Sequence, residues 1–144
     1  MQDLLASLKP ELAKASSQIT ATGSSSTIID MKGFSEALFI ILSTVVAAAD
    51  GSNFLTFSLE HGDQANLSDA ADVAAPDVTA QGISGSVGAS FALNATTTVG
   101  YCGKIQYKGQ KRYVRLKYTE TGTFDGTFSA VVLKGEARNL PVAA

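Results

Sequence analysis

The chain has 144 residues, 45% of them hydrophobic and only 17% charged, so it is long enough for one domain with an ordinary core and too apolar for a disordered chain. A net charge of −2 argues against bulk electrostatic attraction to nucleic acid. A single cysteine, Cys102, excludes an internal disulfide framework.

At the start, Leu4, Leu5, Leu8 and Leu12 fall on one face at helical spacing, but Pro10 interrupts the pattern. The expectation is a short helical turn and an extended N-terminal arm over residues 1–14. That arm docks either on its own domain or on a neighbouring subunit. No basic stretch precedes these leucines, and no apolar run of signal-peptide type follows. The longest apolar run, Ala37 to Ala49, is broken by Ser43 and Thr44 and falls short of the roughly 20 residues that span a membrane as a helix. Synthesis in the cytoplasm, with no membrane partner, is expected.

Ser16 to Thr22 and Ser26 to Met31 read as two short strands around Gly23-Ser24. Phe34 to Val46 reads as the strongest strand, with Leu38, Ile40 and Leu42 on one face and Ala37, Phe39 and Ile41 on the other. A strand apolar on both faces is central, or has one face covered by a partner. Asn53 to His61 alternates cleanly, with Leu55, Phe57 and Leu59 on one side and Thr56, Ser58 and Glu60 on the other, as a half-solvated antiparallel strand does. Asp50-Gly51 between these two runs is a hairpin signal.

From His61 to Asp77 the acidic residues Asp63, Asp69, Asp72 and Asp77 accumulate in a loop, with room for a helical turn at Leu67 to Ala71. Gly82 to Gly88 is a Gly/Ser-rich link. Ser90 to Asn94, Thr97 to Tyr107, Lys111 to Thr119 and Thr127 to Lys134 supply further strands, and the tail through Asn139-Leu140-Pro141 is extended. In Lys111 to Thr119, Val114, Leu116 and Tyr118 share the inner face, while Tyr113, Arg115 and Lys117 share the outer one. With turn signals between the strands and no sustained helix, the predicted fold is all-β. It is an antiparallel, jelly-roll-like sandwich of about 7–9 short strands, with residues 15–144 as its single domain.

Catalytic constellations are sparse. A Ser-His-Asp triad has only His61 to use. Gly82-Ile83-Ser84-Gly85-Ser86 ends in Ser where a nucleophile elbow requires Gly, and it lies in a flexible link. Cys102 in a strand reads as a small apolar group, and one His with one Cys cannot build a zinc shell. The acidic run lacks the spacing of a calcium loop, and no phosphate-binding or dinucleotide fingerprint is present. No enzyme activity, cofactor or metal is expected.

The densest feature is the basic stretch Lys104 to Tyr118, which holds six of the eleven Lys and Arg residues. It reads as a hairpin turning at Lys108-Gly109-Gln110, with Lys108, Lys111, Arg115 and Lys117 as candidate partner-binding residues. Direct nucleic-acid binding is not expected. Charge complementarity with the acidic Glu60 to Asp77 region, within the chain or between neighbours, is the favoured use, and it sets register more than affinity.

The sequence resembles a family of small virion proteins from tailed bacteriophages and prophages. The resemblance runs through Gly33-Phe34-Ser35-Glu36-Ala37-Leu38-Phe39-Ile40-Ile41, Phe57-Ser58-Leu59-Glu60-His61-Gly62-Asp63 and Asn66-Leu67-Ser68-Asp69-Ala70-Ala71. It continues in Lys104-Ile105-Gln106-Tyr107-Lys108-Gly109-Gln110-Lys111-Arg112-Tyr113-Val114-Arg115-Leu116 and in Val131-Val132-Leu133-Lys134-Gly135-Glu136-Ala137-Arg138-Asn139. Gln106 stands where members often have Gly, and Gly82 to Gly103 follows the family pattern poorly. The resemblance implies a capsid-associated role. The inferred assignment is a cement, or decoration, protein on the virion surface, with the major capsid protein and further copies of itself (a dimer or trimer) as partners. Leu4, Leu5 and Leu8 then serve as an apolar anchor. A head–tail connector or tail component is the alternative, and a carbohydrate- or ligand-binding sandwich a lesser one, since the chain has no Trp to form a sugar platform.

Overall fold

The computed structural model describes residues 7–82, 87–96 and 98–137. Within them the chain is an antiparallel β-sandwich. The first sheet has the order β1 (Lys9–Ile19), β12 (Asp125–Ala137), β4 (Phe34–Ala48), β10 (Tyr101–Tyr107), β7 (Val78–Gln81) and β8 (Val87–Gly88). The second has the order β2 (Gly23–Ser24), β11 (Tyr113–Thr121), β5 (Phe54–Gly62) and β6 (Ala71–Asp72), with β3 (Ile29–Asp30) also on β11 and β9 (Phe91–Leu93) also on β5. Twelve strands replace the seven to nine expected, because several are two- to four-residue bridges too short to leave a periodic signature.

The frame is one long ribbon. β4 pairs with β12 from Phe34↔Ala137 to Ala48↔Asp125, and β5 pairs with β11 from Phe54↔Thr121 to Gly62↔Tyr113. Residues 34–62 and 113–137 are therefore one antiparallel two-stranded ribbon, folded over at 49–53 and 122–124 so that its halves lie in opposite sheets. Asp50-Gly51 is thus a corner between sheets and not a hairpin. The Asp50 carboxylate accepts the backbone N–H of Ser52 (2.7 Å) and Asn53 (2.8 Å), which turns the chain without bringing β4 beside β5. Across the fold, Asn53 Oδ1 accepts the Thr123 N–H at 2.8 Å. Gly122, at φ +67°, takes a left-handed conformation, and a Cβ there would strike Asn53 Oδ1 and the Ser52 carbonyl.

The basic stretch is corrected in the same way. β10 pairs with β4 and β7, whereas β11 pairs with β5, β2 and β3, so Lys108 to Arg112 crosses between sheets. The cause is Tyr107. Its ring is fully buried, and its hydroxyl lies 3.0 Å from His61 Nδ1 and donates to the Lys111 carbonyl at 3.2 Å. The connecting loop wraps over that ring. A Cβ at Gly109 would come within 2.6 Å of the Tyr107 hydroxyl, so only glycine lets the loop pass so close.

The inner faces meet as the alternation predicts. Ala37, Phe39 and Ile41 of β4 are buried, as are Leu55, Phe57 and Leu59 of β5 and Val114 and Leu116 of β11. Phe57 and Phe128 make an edge-to-face contact at 4.8 Å that joins the two sheets, and Phe91 and Tyr118 extend the cluster. Burying each such side chain contributes roughly 1.5–3 kcal/mol.

The first strand also departs from expectation. It spans Lys9–Ile19 and pairs with β12, so Lys9 to Lys14 lie in the sheet, and Gly23-Ser24 is itself paired with β11 instead of separating two strands. Pro10 is tolerated because β1 is an edge strand. Ser25 ties this edge to the second sheet: its hydroxyl donates to the Ala13 carbonyl and its N–H donates to the Leu116 carbonyl at 2.8 Å. Leu67 to Ala71 forms a turn around the buried Leu67, and no helix forms there. Asn139-Leu140-Pro141 and most of the Gly/Ser link lie outside the described residues.

Candidate functional site

The site is built from the outer faces of the two sheets, which differ sharply. On the second sheet the outward residues of β11 and their neighbours are charged and matched. Arg115 stands directly opposite Glu60 in the β11–β5 register and forms an ion pair with it. Lys117 pairs with Asp72 at 2.6 Å, Lys111 with Asp63, and Arg112 grips Asp30 through Nε at 3.0 Å and Nη2 at 2.9 Å. The Arg112 guanidinium holds the Asp30 carboxyl below the usual carboxylate range. The expected complementarity between the basic stretch and the acidic loop is therefore satisfied within the chain. Of the candidate basic residues, Lys111, Arg115 and Lys117 have internal acidic partners. Lys108 is exposed at the corner, its backbone N–H donating to the Asp77 carbonyl at 2.7 Å.

On the first sheet the outward face is apolar. Register places Leu12, Val131 and Ile40 in one row, with Lys104 and Gln81 beyond them. The next row runs Pro10, Leu133, Leu38, Gln106, and a third runs Ser129, Leu42, Cys102. Leu12 is 55% exposed, Leu42 43% and Val45 48%. Leu8 belongs to the same face: its side chain lies over Gly135, beside Leu133 and Leu38. Strands about 4.8 Å apart and same-face residues about 6.8 Å apart give the apolar centre a span of roughly 10 by 14 Å between Cα atoms. Glu36, Lys104 and Gln106 border it, Gln106 donating to Glu36 at 2.8 Å. The double-sided apolarity of Phe34 to Val46 in the sequence was the signal for this surface. The first of its two readings holds, since β4 lies between β12 and β10 in the middle of its sheet. Leu4 and Leu5 lie outside those residues.

The residues weighed for catalysis are not brought together. His61 points inward at the end of β5 against Tyr107, while Cys102 points outward from β10. Since the Tyr107 proton goes to the Lys111 carbonyl, His61 Nδ1 is the donor in their bond. Burial pushes the Tyr107 hydroxyl up to about 12 and pulls the His61 imidazole below its ordinary value. Ser84 lies outside the described residues. Asp69 accepts the N–H groups of Asp63 (2.7 Å) and Gln64 (3.1 Å), so it shapes its own loop. Among the described residues, no three His, Cys, Asp or Glu side chains converge as metal ligands would.

No protein-family model matches the sequence, and neither does any curated protein. Among solved structures the chain is similar to the SPBc2 prophage-derived protein YomS, with a TM-score of 0.49 and 12% sequence identity over 88% of this chain and 92% of that one.

Proposed function

We propose that this protein is a structural component of a tailed-bacteriophage virion. It acts as a cement, or decoration, protein that binds the outer face of the major capsid protein lattice and stabilises the head without making or breaking a bond. The observation that carries this is the apolar outer face of the first sheet, centred on Leu12, Leu38, Ile40, Leu42, Val131 and Leu133. A contiguous apolar surface is costly to leave in water, which supports a binding role for this face. The opposite face neutralises its own charges and suits the solvent side. Resemblance of the sequence to phage virion proteins supplies the identity of the partner.

In this mechanism the protein binds the assembled shell and not its free subunits, so each bound copy shifts the assembly equilibrium towards the shell. Copies sit as dimers or trimers at symmetry axes of the lattice. Leu8 extends the apolar contact, and register comes from Lys108, since Lys111, Arg115 and Lys117 are engaged at home.

The test is quantitative mass spectrometry of purified particles, together with thiol labelling of Cys102, which is exposed on the docking face. Copies on the order of hundreds per particle, with Cys102 protected, support the cement role. About six or twelve copies indicate a connector, and particles lacking the chain refute both.

A further inference from the structure

At one end of the sandwich, the turn before β4 and the corner after β10 enclose an open pocket of about 570 Å³. Its lining includes Lys32, Lys108, Lys111 and Arg112 and contains no acidic residue. Both walls are fixed by backbone bonds. Phe34 N–H donates to the Met31 carbonyl at 2.9 Å, Met31 N–H to the Arg112 carbonyl at 2.8 Å, and Lys108 N–H to the Asp77 carbonyl at 2.7 Å. Lys111 and Arg112 are committed to Asp63 and Asp30, but Lys32 and Lys108 have no acidic partner among the described residues. The exposed Lys32 and Lys108 and the half-buried Phe34 thus all contribute to the lining of a prebuilt recess.

We propose that this pocket binds a carboxylate-bearing segment of another protein, an acidic peptide with an apolar residue beside its Asp or Glu. Lys32 and Lys108 receive the carboxylate, and Phe34 receives the apolar neighbour. A nucleic-acid backbone fits less well. Asp30 and Asp63 flank the pocket through their pairs with Arg112 and Lys111, so a continuous track of phosphates meets carboxylates within a step, whereas a short acidic segment does not. The site holds whether or not the partner is a phage head, because it rests on the pocket and not on the apolar sheet face.

The experiment titrates the full-length protein with a short capped peptide, Leu-Glu-Leu, with a Leu-Gln-Leu control, and with a single-stranded DNA oligonucleotide. Binding is read by calorimetry and by amide chemical shifts. The expected result is saturable peptide binding with shifts at Gly33 and Gly109, no binding of the control, and an affinity at least ten-fold lower in Lys32→Gln/Lys108→Gln. Both lysines are exposed, so that variant keeps its fold, and its unperturbed remaining spectrum verifies this. No peptide binding, unchanged affinity in the double variant, shifts confined to another surface, or DNA binding in the pocket as tight as the peptide would each overturn the proposal.

Discussion

Lys134 and Glu11 form an ion pair at 2.6 Å in which the lysine is buried and the glutamate remains part-exposed. The ammonium group also donates to the Asp30 carbonyl at 3.0 Å and lies 4.8 Å above the Phe34 ring. One side chain of β12 therefore clasps the edge strand β1 on one side and β3 of the opposite sheet on the other.

The asymmetry of burial makes an asymmetric prediction. Glu11→Gln leaves a buried ammonium without its counter-charge and costs on the order of 3 kcal/mol. Lys134→Met leaves a carboxylate that can reach water and costs about 1 kcal/mol. Urea denaturation of both variants checks the order. Equal costs would mean that the clasp acts by packing and not by charge.

The ribbon corner is the second target. Gly122→Ala forces a side chain into the left-handed region and against Asn53, so it lowers stability by about 2 kcal/mol or more. Asn53→Ala loses the bond to the Thr123 N–H and costs about 1 kcal/mol. If the corner holds the two sheets in register, the pair couples in a double-mutant cycle.

Stability also depends on pH in a direction that can be derived. The carboxyls of Asp30, Asp50 and Asp69 are lowered, by the Arg112 bond, the Ser52 N–H and the Asp63 N–H respectively. A carboxyl lowered in the folded state contributes stability above its ordinary value and loses it as pH falls through the folded one. His61 is lowered mainly by burial, so its contribution is complete above the ordinary histidine value and falls as pH drops below it. Denaturation midpoints should therefore decline first in mildly acidic solution and again below the ordinary aspartate range. His61→Gln should remove the first step and Asp50→Asn should weaken the second. A profile flat down to the aspartate range would contradict the role assigned to His61.

The two classes of basic residue separate by experiment. Arg115→Gln breaks a largely buried pair and lowers stability by about 2 kcal/mol, with little effect on partner binding. Lys108→Gln leaves stability within about 0.5 kcal/mol and weakens binding. Urea midpoints and particle binding, measured on both variants, distinguish them. The opposite pattern would place Arg115 at the interface.

Much of the fold was legible in the sequence because period-two alternation reports which face is buried. Leu55, Phe57 and Leu59 turn inward, and Tyr113, Arg115 and Lys117 turn outward, as their spacing predicts. The corners were not legible. Asp50-Gly51 and Lys108-Gly109-Gln110 carry turn chemistry, and turn chemistry does not say whether the next strand returns beside the last one or crosses to the facing sheet. That choice is made by long-range contacts, such as Tyr107 with His61 and Asn53 with Thr123. The basic stretch stood out as a site for the same reason. Residue types were visible, but their partners Asp63, Asp72 and Glu60 lie 45 to 55 positions away. The apolar face was half-visible in Leu38, Ile40 and Leu42. Its continuation through Leu12, Val131 and Leu133 required the β1–β12–β4 register.

The proposed docking face is tested most directly by co-sedimentation of the purified protein with phage heads that lack it, comparing wild type with Ile40→Lys. Ile40 faces outward in the middle row of the apolar patch, so a lysine there leaves the core intact but loses roughly 2 kcal/mol of contact, about a 30-fold fall in affinity. The predicted result is saturable binding of wild type and loss of binding by a variant that remains folded. Equal binding by the two, or none by wild type, would contradict the account.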